Sequence, residues 1–454
     1  MSASNTAATV VLLILILLLL VYIFEFDFAT ITSNVPIVLR RCDCKPVISN
    51  KVVCPPAQPL KNSDLNRTTH SIPQQDWYDK LIAAGIGKRG GPKMNISLVA
   101  AYEYPEQVNV LMTSRDKFGD VIYCRYFDKS GSELGDPFNS VVFPEYNVHC
   151  LRREGAAFMS LTDSPADEYE FPVPIIDRTQ REHRHFFSVC VAPIYGNESK
   201  WLLLAELIEH YKLQGASYFY VYSKYIDEYS RILLDDYVRT GEAETVVLHD
   251  RFKRNDDRWQ SVQLQDCLLR ARRHSRWIAF IDLDERLTLT DVDGTIYDYL
   301  RNVSQSSPQI GSVQFRQRWI LKNETTPSRY IGANQLSLWM PTRRYHNTSH
   351  VGPSGHTTKC IVDPEKVLIM SVHTVTKFFD GYWQYAMKPD EGVVRHYRDV
   401  VAGDWGKTWL KSVEKMGNFS WTDYPGRFAS KLMENVHKRL QYVYGTQQAL
   451  GIIS

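Results

Sequence analysis

Trp277-Ile278-Ala279-Phe280-Ile281-Asp282-Leu283-Asp284-Glu285 is an apolar run that ends in acids, and its reading decides the fold. A short continuous apolar stretch is the pattern of a strand buried on both faces, as in a parallel sheet covered by helices. Ligands of open α/β sheets gather at the carboxyl ends of such strands, so Asp282 and Asp284 emerge where a site belongs. Oxygen-only donors suit Mg²⁺ or Mn²⁺, ions commonly shared between one or two carboxylates and the phosphates of a substrate. An Asp-x-Asp triplet by itself is more often a solvated turn, and only the buried strand before it brings the site to an equal footing.

Upstream the pattern alternates between strand and helix. Strands are expected at 186–192, 218–222 and 244–248, and helices at 198–213, 228–238 and 262–272, with Leu202, Ala205, Leu207, Ile208 and Tyr211 on the buried side of the first helix. Gly215 and Gly241 stand where helix ends need them. Repeated βα units with crossovers of this length imply a mostly parallel sheet, with the acidic loop after its fourth strand.

Before this region, apolar or alternating runs at 97–102, 108–113, 121–127, 140–148 and 156–161 are separated by Gly, Asp and Pro turns. They indicate a small β-rich domain over 96–170, read as a sandwich, followed by a proline-marked linker at 171–176. Cys124 and Cys150 could staple it, although spacing alone does not fix pairing. Residues 25–95 carry scattered Pro, Asn, Ser and Thr and end in Gly85-Ile86-Gly87-Lys88-Arg89-Gly90-Gly91-Pro92, the composition of a stem. A chain of 454 residues exceeds one typical domain, in agreement with two folded units plus termini.

Residues 7–24 are apolar except for Thr9, long enough to cross a thin bilayer, which leaves 1–6 as a cytosolic tail. No basic residue precedes the stretch and Glu25-Phe26-Asp27-Phe28 follows it, so it reads as an uncleaved signal-anchor rather than a signal peptide. Arg40, Arg41 and Lys45 on its carboxyl side would face the cytosol by the positive-inside rule. Two other patterns outweigh them. Glycosylation sequons begin at Asn66, Asn95, Asn197, Asn302, Asn323, Asn347 and Asn418. Eight cysteines, an even number, also lie beyond the anchor, in the pattern of an oxidising lumen. With 53 basic and 51 acidic residues, the balance implies no nucleic-acid partner.

Cys190-Val191-Ala192-Pro193-Ile194-Tyr195, Glu206 with His210-Tyr211-Lys212-Leu213-Gln214-Gly215-Ala216, Tyr218-Phe219-Tyr220-Val221-Tyr222 and Ile281-Asp282-Leu283-Asp284-Glu285 together resemble glycosyltransferase family 92. The likeness extends into the carboxyl half through Lys359-Cys360-Ile361-Val362-Asp363, Val372-His373-Thr374-Val375 and Val394-Arg395-His396-Tyr397-Arg398, covering about 96 to 440. It implies a GT-A nucleotide-diphosphosugar transferase fold over 185–440, UDP-galactose as donor, Mn²⁺ (or Mg²⁺) as cofactor and inversion at the anomeric carbon. The acceptor would be a glycan on a glycoprotein or glycolipid, and the enzyme a single-pass type II Golgi membrane protein with a lumenal catalytic domain.

The resemblance also distributes roles. Asp282 and Asp284 would hold the metal with His396 as the late histidine ligand and His373 as runner-up; Lys359 would add a charge to the diphosphate. Pro193 and Tyr195, after the first strand, and Tyr222, at the end of the second, fall where uracil and ribose should lie, and Tyr195 or Tyr222 stacks on the base. A glycan on Asn197 would crowd that loop. Asp380, among Phe378, Phe379, Tyr382 and Trp383, is chosen as catalytic base over Asp363 and Glu391, and Glu285 orients Asp284 or the metal's waters. Two rival functions are a non-catalytic carbohydrate-binding protein that retains the fold and a phosphodiester hydrolase; the second needs a further acidic cluster that the sequence near the triplet lacks.

Overall fold

The computed structural model describes residues 75–445 apart from 90, 92, 94, 115, 170, 254–258, 291–292 and 402–403. The expected anchor at 7–24, the tail before it, most of the stem and Cys42, Cys44 and Cys54 lie outside the described residues. Among the described residues no helix is long and apolar enough to cross a membrane.

After a short helix α1 (Gln75–Ala83), the amino-terminal half forms a seven-stranded sheet: β1 (Ser97–Glu103), β2 (Gln107–Thr113), β3 (Val121–Phe127), β4 (Phe138–Val141), β5 (Asn147–Leu151), β6 (Phe158–Thr162) and β7 (Val173–Asp177). Its order is β4-β3-β6-β7-β1-β2-β5, and the two end strands meet at the Val142–Val148 bridge, so the sheet curls back on itself. This corrects the expected sandwich: one curled sheet encloses Val108, Val110, Met112, Tyr126, Met159 and Leu161. The Cys124–Cys150 disulfide joins β3 to β5 within that core. The expected run at 140–148 is two strands parted by a turn at Pro144. The expected linker is also a strand. In β7, Pro174 pairs only with Phe158 of β6, and pairing with β1 begins at Ile175, so its missing N–H costs no ladder bond with β1.

The second half follows the alternation: β8 (His185–Ile194), α2 (Trp201–Leu213), β9 (Tyr218–Ser223), α3 (Glu228–Arg239), β10 (Ala243–Val247), α4 (Trp259–Ala271) and β11 (Ser275–Ile281). These give a parallel quartet in the order β10-β9-β8-β11. Both faces are covered. Phe187, Val189 and Val191 of β8 pack among α2 and α3, whereas Cys190, one residue out of phase, joins the α4 side with Leu264 and Leu268. A second disulfide, Cys190–Cys267, ties β8 to α4. Local chemistry sets the helix ends: Asp227 caps α3 through Ser230 N–H, and Gly215 (φ +89°) follows α2 where a Cβ would sit 2.4 Å from Tyr297.

The remainder departs from a mostly parallel sheet. Beyond β12 (Glu285–Leu289), α5 (Ile296–Ser306), β13 (Ile310–Lys322), α6 (Ala333–Trp339) and β14 (Asn347–Thr348) come β15 (Lys359–Val362), β16 (Val367–Met370), β17 (Val375–Phe378), β18 (Trp383–Ala386), β19 (Gly392–Asp399), β20 (Ser420–Trp421) and α7 (Gly426–Leu440). β15 pairs antiparallel with both β11 and β13, which turns β13 back to the direction of the quartet. The far half of β13 runs parallel to β19, and β19 pairs antiparallel with β12, the strand that follows the acidic turn. The sheet is therefore mixed. α2 is buried almost all round: Trp201 reaches the Pro327 carbonyl, Glu206 meets Arg286 and Thr342, His210 meets Tyr424 and the Leu287 carbonyl, and Leu432 and Val436 of α7 join the same core.

Candidate active site

The turn after β11 is shaped from below. Glu285 N–H donates to the Asp282 carbonyl at 3.1 Å, and the Glu285 carboxylate accepts the Asp282 N–H at 2.8 Å. Arg286, fully buried in β12, donates to the carbonyls of Leu283 (2.9 Å) and Glu285 (3.0 Å) and, from α2, to that of Leu203 (3.2 Å). Its charge is met by Glu206, also fully buried, at 3.3 Å, and Glu206 accepts from the N–H and hydroxyl of Thr342. A buried pair of this kind is costly to desolvate and tolerable only when both partners are also hydrogen-bonded.

On this support the acidic side chains meet bases. Asp284 Oδ2 lies 3.2 Å from His396 Nε2 and 3.9 Å from Arg398. Pairing of Glu285 with His396 across β12 and β19 brings this about, with the Tyr397 N–H donating to the Asp284 carbonyl. Asp282 is held differently, by the Lys359 ammonium at 2.9 Å and by Gln260, at the start of α4, at 3.2 Å. Lys359 also reaches Glu285 at 3.1 Å, and Glu285 approaches His396 Nδ1 at 3.4 Å while accepting from Gln317.

Electrostatics follow from that arrangement. Burial opposes ionisation of Asp284, but the charge and hydrogen bond of His396, aided by Arg398, outweigh it and hold the carboxyl far below its usual range. Burial works against a charged His396 too, and Asp284 and Glu285 overcome it, so the imidazole is raised. Glu285 is raised by burial and by the Asp282 charge. Buried Lys359 stays charged because Asp282 and Glu285 flank it.

Asp284 and His396 form an adjacent oxygen–nitrogen donor pair, and the Asp284 side chain is still 21% exposed. That fits an ion completing its shell with water and phosphate. Among the described residues no three His, Cys, Asp or Glu side chains converge to hold a metal, because Asp282, the expected third ligand, faces Lys359 and Gln260. His373 lies near Lys359 but spends Nδ1 on the Thr358 carbonyl.

The other expected site residues divide by edge. Pro193 and Tyr195 lie at the exit of β8, beside Asp282 because β8 and β11 run parallel with Val191 opposite Ile281, and Tyr195 is 73% exposed. Tyr222 is a correction: its ring is fully buried and its hydroxyl donates to Asp266 at 2.5 Å, so it packs the α4 core and cannot stack on a base. Asp380 is another. It lies in the turn between β17 and β18, where Trp383 pairs with Ile310, whereas His396 pairs with Trp319. Nine residues of β13 separate those levels, about 30 Å along the strand, so Asp380 belongs to the opposite edge. Its alternatives serve structure: Asp363 meets Arg276 and Lys366, and Glu391 accepts from Tyr385 and the Lys388 N–H.

Sequence reading passed over Arg286, Glu206, Gln260 and Gln317 as site residues. The signal for the first two was present: a charge inside the apolar strand Leu287-Thr288-Leu289 that it opens, and a charge inside the apolar helix Trp201-Leu202-Leu203-Leu204-Ala205 that it extends. Such charges persist in cores only when paired.

The sequence profile of glycosyltransferase family 92 matches residues 185–432. The beta-1,4-galactosyltransferase galt-1 of Caenorhabditis elegans is 26% identical over 235 residues, 49% of this chain and 50% of that protein. A glycosyltransferase family 92 protein of Oryza sativa subsp. japonica is 28% identical over 150 residues, 32% of this chain and 23% of the relative. The chain thus spans about half the length, or less, of the curated relatives it matches. Among solved structures, glucosyl-3-phosphoglycerate synthase from Mycobacterium tuberculosis, in complex with Mn²⁺, UDP and glucosyl-3-phosphoglycerate, is 12% identical over 58% of this chain and 81% of its own, with a TM-score of 0.24. A profile that covers more than half of the chain, and takes in β8, the acidic turn and His396 alike, establishes that the chain belongs to glycosyltransferase family 92.

Proposed function

We propose that the chain is a GT-A galactosyltransferase that moves galactose from UDP-galactose to a glycan, with inversion and with a divalent ion. One observation carries the reading: the Asp284–His396 pair, 3.2 Å apart, stands at the carboxyl edge of parallel strands with Lys359 beside it. Relatives named galactosyltransferase and glycosyltransferase support the class of reaction.

The acceptor hydroxyl oxygen attacks the anomeric carbon as the bond to the UDP oxygen breaks; UDP leaves with the electron pair, and the hydroxyl proton passes to a base. Asp284 and His396 would hold Mn²⁺ or Mg²⁺, whose chemistry here is neutralisation of the departing diphosphate. Arg286 keeps the turn in register, and Lys359 holds Asp282 and Glu285 in place while contributing its own charge. Tyr195 offers an exposed ring for the uracil. The test is UDP release from UDP-galactose, with UDP-glucose and UDP-N-acetylglucosamine as competitors. Preference for UDP-galactose is expected, and indifference to the sugar would remove the donor assignment.

The proposed compartment is the Golgi lumen, behind a type II anchor at 7–24. In support, the six sequon asparagines within the described residues, Asn95, Asn197, Asn302, Asn323, Asn347 and Asn418, are all exposed, and four cysteines there are paired.

A further inference from the structure

Four strands carry the face of His396 away from the acidic turn. Arg398, two residues beyond His396 on β19, stands opposite Leu321 of β13. The antiparallel pair Ile320–Thr348 sets Leu321 against Asn347 of β14, and Asn347 pairs with Trp421 of β20. Side chains alternate along a strand, so Arg398, Leu321, Asn347 and Trp421 form one row, on the same face as His396 and Trp319. The row spans three strand spacings, about 14 Å.

Its far end is a prepared aromatic surface. Trp421 is 73% exposed, yet its ring is fixed. His346 stacks beneath it at 4.2 Å with the planes 7° apart. Asp423 accepts the indole N–H at 3.1 Å and lies 2.8 Å from His346 Nδ1 without hydrogen-bonding it, and His346 is held by donating from Nε2 to the Arg343 carbonyl at 2.8 Å. One indole face is covered and the other is open. A rigid, open aromatic face suits the C–H side of a pyranose, because stacking there loses little side-chain freedom.

We propose that the open face of Trp421 is a distal subsite for the acceptor glycan, contacting a sugar several residues from the one that receives the transfer. The proposal rests on the transferase reading above. The same chemistry has a second source in a glycan on Asn347, which would lie directly beside the ring.

The experiment uses the full chain with Trp421→Ala, Trp421→Phe and Asn347→Gln, measuring transfer to a soluble complex-type N-glycan and to its terminal disaccharide, with UDP-galactose hydrolysis as control. Trp421→Ala is expected to raise KM for the long glycan about tenfold, leaving kcat, the disaccharide and hydrolysis unchanged, and Trp421→Phe to restore most of the loss. Equal KM in wild type and Trp421→Ala overturns the subsite. If wild type transfers to neither glycan, calorimetric binding of the long glycan decides: binding weakened by Trp421→Ala supports the subsite, and no binding or equal binding overturns it. Tighter binding by Asn347→Gln than by wild type assigns the ring to the chain's own glycan and also overturns it. Loss of hydrolysis in wild type itself sinks the underlying transferase reading, a result separate from all of these.

Discussion

Asp284 is the acid on which the proposed chemistry turns, since it alone of the three touches both His396 and Arg398. Asp284→Asn is expected to lower UDP release about a hundredfold. Asp380→Ala, at the opposite edge, should leave it within about twofold of wild type, by the same assay. Arg286 acts through other groups: Arg286→Met leaves Glu206 buried and uncompensated and should cost roughly 3–5 kcal/mol, read from urea unfolding. Adding Glu206→Gln should recover much of that. Asp284 was legible because an acid follows a buried strand, whereas His396 was singled out only by the family resemblance, since a lone late histidine has the local look of a hydrogen-bonded core residue. Tyr222 and Asp380 misled because nearest neighbours in the chain do not reveal which face or which end of a strand a side chain occupies. Tyr222 falls one residue out of phase with Val221, which faces the opposite core, and Asp380 sits at the foot of β18 rather than its head.

Elements were read best where periodicity was undisturbed. β8, α2, β9, α3, β10, α4 and β11 appear in the expected order, with ends shifted by a few residues. Only partners distant in sequence could correct the rest. β7 is a strand because β1 and β6 accept it, against the local signal of Pro172 and Pro174. α2 lost its solvent face to partners as distant in sequence as Thr342 and Tyr424. The disulfides act at this scale. By restricting the unfolded chain, Cys190–Cys267, which closes a separation of 77 residues, should add about 4.5 kcal/mol, and Cys124–Cys150, which closes one of 26, about 3.5 kcal/mol. Replacing Cys124 and Cys150 together by Ser should lower the unfolding free energy by about that amount, measured by denaturant titration under non-reducing conditions.

For the whole molecule, pH and compartment supply the tests. His149 is buried on the face of β5 opposite Val148 and Cys150, against Asn109 and Asn147, where burial pushes its imidazole down to about 4. The unfolded chain therefore binds the proton more readily, so this stability is complete above the ordinary histidine value and is lost as pH falls from about 6.5 to about 4, on the order of 3 kcal/mol. Urea midpoints across that range should fall, and His149→Gln should flatten the slope. Under the proposed lumenal location, endoglycosidase treatment of the full chain should increase its gel mobility, given the exposed sequon asparagines, and an unchanged band would overturn that orientation. The mixed pairing around β13 was illegible because strand order depends on crossovers no local pattern records. That interior also has a bearing on how variants should be interpreted. Thr342 touches Glu206, Glu206 meets Arg286, and Arg286 grips the peptide oxygens of Leu283 and Glu285. Damage at Thr342, far along the chain from the acidic turn, would loosen that turn without removing Asp284 or His396, and its effect on the proposed transfer could easily be mistaken for a lesion in recognition.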